Sequence, residues 1–266
     1  MTFLTDFADQ AVVLPLAVAI AVALAAMGLC FVAAFLVGYW IATWMYRREG
    51  KDIAELDTLL TYMLVGTIVG ARLGHVLFYD PFYYFAHPID ILKVWEGGLA
   101  SHGGAAGIFI ALYLYTRAPG RPRYLWLLDH VAVPTALGGF FIRMGNFFNS
   151  EIVGTPTNGW WAVVFDRVDP IPRHPVQLYE ALAYLVIFFV LLLTYVWKTD
   201  RADGFLLGLF LVLVFCARFL IEFAKTPQAE YEAGFPISVG QMLSIPFIIA
   251  GLILIARTRA RRPAAG

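Results

Sequence analysis

Seven stretches of this 266-residue chain hold enough consecutive apolar side chains to cross a bilayer, and that governs what the chain can fold into. A hydrocarbon core about 30 Å thick is crossed by about 20 apolar residues in a helix. Inside it every backbone N–H and C=O must find a partner within the protein, so such runs become helices. The runs lie at roughly 13–46, 56–79, 99–116, 124–142, 178–197, 204–224 and 238–256. Apolar residues make up 61% of the chain and charged residues only 14%, against about 25% charged in a soluble domain. Mean hydropathy is +0.74. The expected fold is therefore all-α: a polytopic integral membrane protein of about seven transmembrane helices. It is read as a single membrane domain over 1–266, with loops 80–98 and 143–177 forming an outward-facing head.

Formal net charge is zero, so global charge gives no reason to expect nucleic acid as a partner. The distribution of charge is more informative. Arg47, Arg48 and Lys51 follow the first run; Arg117, Arg121 and Arg123 follow the third; Lys198 and Arg201 follow the fifth; Arg257, Arg259, Arg261 and Arg262 end the chain. If the runs alternate across the membrane, these 12 of the 19 basic residues share one side. Lys93, Arg143, Arg167, Arg173 and Lys225 fall on the other. Lys and Arg in short loops favour the cytoplasmic side, which predicts an amino terminus outside and a cytoplasmic carboxy terminus.

The first 12 residues carry Asp6 and Asp9 but no Lys or Arg. A cleavable signal needs a positive leading region and a short apolar core, so the first run reads as a retained span with an interfacial stretch before it. Cys30 and Cys216 are isolated in apolar runs; they form no disulfide framework or metal motif and read as small hydrophobes. Tyr83, Tyr84, Trp160 and Trp161 in the outer loops suit the aromatic belt of a membrane interface.

An ionisable group at the centre of a span costs about 2.5–3.5 kcal/mol on insertion scales, so each one suggests function. "GARLGHVLFYD" sets Arg72, His75 and Tyr79 on one helical face. "GGLASHGGAAG" places His102 among small residues, and "ARFLIEFAK" spaces Arg218 and Glu222 four apart, as a pair would be. "FIRMGNFFNSEIVG" gathers Arg143, Asn146, Asn149 and Glu151 at the end of the fourth run, and "RHPVQLYEA" puts His174 and Glu180 near the outer surface. Asp129 and His130 are adjacent, share no face, and read as a packing or inner-boundary feature.

Plainer readings stand beside these. Arg218–Glu222 also fits a neutralised structural pair, Arg72 a guanidinium bonding backbone carbonyls, and His75 a packed polar group. The glycines around His102 also fit close helix approach. Taken together, Arg72, Arg143 and Arg218 lie towards the outer half of the bilayer. An arginine fork fits phosphate bidentately, and a neutral histidine nearby can accept a proton. That combination suggests chemistry on a phospholipid headgroup.

The blocks "GARLGHVLFYD", "WEGGLASHGG", "RMGNFFNSEIVG", "RHPVQLYEAL", "RFLIEFAKTPQ" and "SVGQMLSIP" run in order from about residue 64 to 246. They resemble those of the bacterial prolipoprotein diacylglyceryl transferases. The resemblance implies a seven-helix bundle in the cytoplasmic (inner) membrane with a periplasmic head. It implies transfer of the diacylglyceryl group of phosphatidylglycerol to the lipobox cysteine thiol of a prolipoprotein signal peptide, releasing glycerol 1-phosphate. The partners would be those two substrates and membrane lipids, without metal or cofactor.

On this reading His102, Arg143 and Arg218 are the catalytic candidates. Arg72, Asn146, Glu151, Gly154 and Glu222 are the substrate-binding candidates. His102 would take the thiol proton. Arg143 and Arg218 would stabilise charge on the leaving phosphate, and Asn146 would donate to a phosphate or ester oxygen. Glu151 would hold an arginine and Gly154 would permit a backbone turn.

Departures from the family's pattern occur in two spans. Where the family usually carries Arg-Trp-Tyr-Gly-Leu in the first span, this chain has "AAMGL", Ala25 to Leu29. Val214 stands where a tyrosine often precedes the sixth-span arginine by four residues, and Lys225 replaces a more usual arginine. These differences keep two alternatives open: a divergent paralogue with another acceptor, and a non-catalytic phospholipid-binding or transport protein.

Overall fold

The computed structural model describes the backbone of residues 2–198, 200–226 and 237–260, and their side chains except at 2–24, 96, 101, 259 and 260. Eight α-helices account for most of it: α1 (Thr2–Arg48), α2 (Ala54–Phe78), α3 (Pro81–Ala86), α4 (Ser101–Thr116), α5 (Tyr124–Phe148), α6 (Val176–Trp197), α7 (Phe205–Ile221) and α8 (Val239–Ala260). Short 3-10 turns occupy Pro88–Leu92, Val94–Glu96 and Glu222–Ala224. Strands β1 (Val163–Val164) and β2 (Pro172–Arg173) pair antiparallel, a small addition to an otherwise helical architecture.

Among the described residues, six helices are long and apolar enough to cross a membrane. The run read at 99–116 forms α4, whose 16 residues span about 24 Å at 1.5 Å per residue. The fourth run ends at 142 by hydropathy, yet α5 continues to Phe148. Backbone hydrogen bonding continues the helix through polar residues, so Arg143 and Asn146 sit on helix and not in a loop.

The chain divides into two compact units, Ile41–His130 and Met1–Trp40 with Val131–Gly266. In the unit Ile41–His130, α2 and α4 pack backbone to backbone. Gly66, Gly70 and Gly74 repeat every four residues and face Gly103 and Gly107. A Cβ on Gly70 would lie 2.7 Å from Gly107 Cα, and one on Gly74 would lie 2.7 Å from Gly103 Cα. Small residues at this spacing let membrane helices touch. At the other end of this unit His130 Nε2 lies 2.9 Å from Glu49 Oε1, and Trp126 Nε1 donates to Glu49 Oε2 at 3.0 Å.

In the other unit α7 and α8 meet at Gly208 and Gly251, where a Cβ on Gly251 would lie 2.7 Å from Gly208 O. The start of α8 is a reciprocal capping box. Ser238 Oγ accepts from Gln241 N at 3.2 Å, and Gln241 Oε1 accepts from Ser238 N at 3.0 Å. Between α5 and α6 the chain runs extended through Gly154 and Thr155. Gly154 N donates to His174 O at 3.1 Å, and Thr155 N donates to Ala224 O at 2.8 Å.

Candidate functional site

The last two turns of α5 carry Arg143 and Asn146 into a polar cluster built by α6 and the end of α7. Glu180, in the second turn of α6, is fully buried. Its Oε2 lies 2.7 Å from Arg143 Nε and its Oε1 lies 2.7 Å from Lys225 Nζ. Lys225 also reaches Glu222 Oε2 at 3.2 Å. Two cations and two carboxylates thus alternate in an apolar surround, where an unpaired charge would be costly.

Arg143 also donates through Nη1 to Asn146 Oδ1 at 3.1 Å, and Asn146 Nδ2 donates to Glu151 Oε2 at 2.8 Å. Asn149 Nδ2 donates to Glu151 Oε1, and Gln177 Nε2 donates to the Glu151 carbonyl at 2.6 Å. Glu151 therefore reaches Arg143 through Asn146, and the carboxylate in direct contact with Arg143 is Glu180. Ser150 and Ile152, on either side of Glu151, have φ of 57° and 56°. A β-branched residue in the left-handed region is an outlier of a kind that clusters at functional sites.

Gly154 is not among the glycines with positive φ. Its need is proximity. It is bridged to Lys225, and a Cβ there would sit 2.7 Å from His174 Cβ and 2.8 Å from Ala224 O. A larger residue would push apart the strand segments that hold Lys225.

Arg218 was expected to pair with Glu222, but Glu222 meets Lys225. Glu222 opens the 3-10 turn Glu222–Ala224, and that tighter winding aligns positions three apart. Its carboxylate rests against Gly240 of α8, where a Cβ would lie 2.9 Å from Oε2. Among the described residues the Arg218 guanidinium has no hydrogen bond or ion pair. The buried Tyr184 of α6 lies within electrostatic reach of Glu180, Arg143 and Arg218.

Arg72 and His102 belong to the other unit. Arg72 is buried and spends its donors on carbonyls: Nε on Ile91 O at 2.8 Å, Nη1 on Gly97 O at 2.7 Å and Gly98 O at 3.2 Å, and Nη2 on Asp90 O. It lies 5.0 Å from the centre of the Tyr84 ring. These contacts fasten the 88–98 segment to α2. His75 stacks on Tyr79 with ring centres 5.2 Å apart. Arg72, His75, Tyr84 and Asp90 help line a cavity of about 280 Å³. His102 is exposed in the first turn of α4, beside the Gly103 contact with α2.

Outside the spans, Lys93, at 2.6 Å, and then the Tyr83 hydroxyl hold the Asp90 carboxyl below its ordinary range. Arg173 does the same for Asp169 through a 2.6 Å contact from Nη2. Arg173 also donates to Gly154 O at 3.1 Å, tying this pair to the strand that carries the site. Among the described residues no group of three or more His, Cys, Asp or Glu is arranged to hold a metal ion.

The sequence profile described as "Prolipoprotein diacylglyceryl transferase" matches residues 15–257. The chain belongs to this family. A phosphatidylglycerol–prolipoprotein diacylglyceryl transferase of Tolumonas auensis is 56% identical over 237 residues, covering 88% of this chain and 92% of the relative. A protein of the same name from Chloroherpeton thalassium is 51% identical over 230 residues, covering 86% of this chain and 85% of its own. Another from Porphyromonas gingivalis is 46% identical over 247 residues, covering 86% and 87%.

The departures from the family's pattern have definite surroundings in this chain. The "AAMGL" segment packs on the end of α5: Met27 Cγ and Cys30 Cβ lie 3.5 Å from where a Cβ on Gly145 would be. Val214 brings no hydroxyl to Arg218 from α7, while Tyr184 approaches from α6. Lys225 is a member of the buried ion cluster. Glu180, Lys225, Gln177 and Tyr184 were not singled out as site residues from sequence. Glu180 had a usable signal, since it is a carboxylate inside an apolar run.

Proposed function

We propose that the protein transfers the diacylglyceryl group of phosphatidylglycerol to the cysteine thiol of a prolipoprotein. One observation carries this reading beyond the family's name. Arg143 and Lys225 balance Glu180 and Glu222, while the Arg218 guanidinium, within electrostatic reach of the same Tyr184 as Arg143 and Glu180, has no carboxylate or hydrogen-bond partner among the described residues. A guanidinium inside an apolar helix is costly without a counter-charge. A phosphodiester supplies one negative charge in the geometry that a guanidinium fork accepts.

The chemistry follows from charge and proton accounting. The lipobox thiol, with a free pKa of about 8.5, gives its proton to His102. The sulfur attacks the glyceryl carbon that bears the phosphate. A C–S thioether bond forms as the C–O bond breaks, and its electrons leave on the oxygen of glycerol 1-phosphate. The leaving group gains negative charge, so Arg143 and Arg218 bind it more strongly as the bond breaks. Asn146 faces the phosphate or ester oxygens, with its amide fixed by Glu151. Gly154 and Glu222 act through the placement of Lys225. Arg72 acts on the substrate side through the 88–98 segment that it fastens.

The reading includes seven spans in one inner-membrane domain, with α4 as a short span carried by its glycine contact with α2. It also includes an external amino terminus, a cytoplasmic carboxy terminus and a periplasmic head from 80–98 and 143–177. The basic-residue asymmetry supports this orientation.

The test uses purified protein, phosphatidylglycerol labelled in its acyl chains and its glycerol phosphate, and a signal peptide bearing a lipobox cysteine. The expected result is equal amounts of diacylglyceryl peptide and glycerol 1-phosphate, with neither from the Cys→Ser peptide. Glycerol phosphate release independent of the peptide thiol would mean another acceptor. Phospholipid binding without turnover would mean a binding or transport protein.

A further inference from the structure

The carboxylate at the centre of the site has no part in the chemistry above, and its geometry gives it one. Glu180 is fully buried. It presents one oxygen to each of two cations, Oε2 to Arg143 Nε and Oε1 to Lys225 Nζ, both at 2.7 Å. We infer that Glu180 is the positioning residue for donor binding: it holds Arg143 by the Nε edge and uses Lys225 as its second anchor. The inference rests on the proposed reading that Arg143 binds the donor phosphate.

The guanidinium is fixed from two sides. Glu180 takes Nε from α6, and Asn146 takes Nη1 at 3.1 Å from the next turn of α5. Two contacts in the plane of a rigid fork determine its orientation. Glu180 is itself held by a cation on its other oxygen. Lys225 is placed by Glu222 at 3.2 Å and by its bridge to Gly154. The positioning chain therefore runs Gly154, Lys225, Glu180, Arg143. This gives Gly154 and Glu222 a physical task without requiring either to touch substrate. It also accounts for lysine at 225, whose single ammonium spans two carboxylates as a compact charge.

Removing the Glu180 charge leaves two largely sheltered cations without the carboxylate between them, and Arg143 turns away from its aligned edge. The phosphate is already charged in the bound substrate, so a misaligned Arg143 weakens binding of the donor as well as of the transition state. A fall in folded protein would lower apparent kcat and leave KM alone, which separates the two causes.

The experiment measures KM and kcat for phosphatidylglycerol, with a fixed lipobox peptide, for wild type, Glu180→Gln, Glu180→Asp, Lys225→Met and Lys225→Arg. Glu180→Gln is expected to raise KM about tenfold and lower kcat about a hundredfold, the scale of a misplaced catalytic group. Glu180→Asp keeps the charge and is expected to recover most of the KM. Lys225→Met is expected to raise KM about threefold, and Lys225→Arg to restore it. If wild type is active and folded Glu180→Gln keeps KM within twofold, the inference is overturned. If Glu180→Gln yields no folded protein, Lys225→Met decides, and an unchanged KM there overturns it. Inactive wild type removes the functional reading itself, and this inference with it.

Discussion

At the scale of single residues, the site is a set of held arginines and one that is not held. Arg143 is fixed by Glu180 and Asn146, while Arg218 has no protein partner among the described residues. Replacing Arg143 by Lys keeps the charge and loses the fork. We expect kcat/KM to fall by at least about a hundredfold, the typical effect of losing one preorganised donor, in the labelled-donor assay. Arg218→Gln should fall as far while leaving the thermal midpoint unchanged or higher, because it removes a half-buried charge that has no carboxylate partner among the described residues. The Asp169 carboxyl is held low by Arg173. A depressed carboxyl contributes stability above its unfolded pKa of about 3.9 and loses it as pH falls through the lower folded value. Limited proteolysis of the 157–172 segment should therefore show constant protection from pH 7 to 5 and loss only below about pH 4. In Asp169→Asn that acid-dependent loss should disappear. Arg143, Asn146 and Glu151 were legible in the sequence because polar residues closing an apolar run are conspicuous. Their wiring was not, because Glu180 meets Arg143 from another helix and pairing across helices leaves no spacing to read. Arg218 and Glu222 show the converse: an α-helical backbone bond joins them at a spacing of four, yet the Glu222 carboxylate turns to Lys225 across the 3-10 turn that follows.

At the scale of elements, glycine patterns decide which helices touch. Gly66, Gly70, Gly74, Gly103 and Gly107 bring α2 and α4 to backbone contact, and His102 sits at the start of that contact. Gly70→Val should force the helices apart, lower thermal stability in detergent by about 1–3 kcal/mol, the usual range for overpacking, and reduce activity by displacing His102. Thermal unfolding beside the transfer assay checks both. Ser238→Ala removes half of the α8 capping box and should cost about 1 kcal/mol, with little change in KM. Most helices are readable from apolar runs alone, to within a few residues at their ends, although α1 starts at Thr2, well ahead of the run read from 13. The exceptions have physical causes. α5 passes its hydropathic end at 142 because Arg143 and Asn146 find protein partners at its last turns. The strand segment through Gly154 is not legible because its pairing joins residues far apart in sequence, and the close approach its glycine permits leaves no local pattern.

At the scale of the whole molecule, the six long apolar helices among the described residues and the family profile over 15–257 describe a multi-pass membrane protein of the prolipoprotein diacylglyceryl transferase family. Its length and apolar runs fixed the class from sequence, and the resemblance of its ordered blocks gave the activity to expect. The departures at "AAMGL" and Val214 left the acceptor open in sequence terms. The central claim is that this chain modifies the lipobox cysteine of a prolipoprotein. The most direct measurement expresses it in cells depleted of their own transferase and weighs a reporter prolipoprotein by intact mass spectrometry. The account predicts a mass gain of one diacylglyceryl group on the lipobox cysteine with wild type, lost with Arg143→Ala and with the Cys→Ser reporter. A reporter that stays unmodified while the wild-type chain is folded and inserted in the membrane would contradict it.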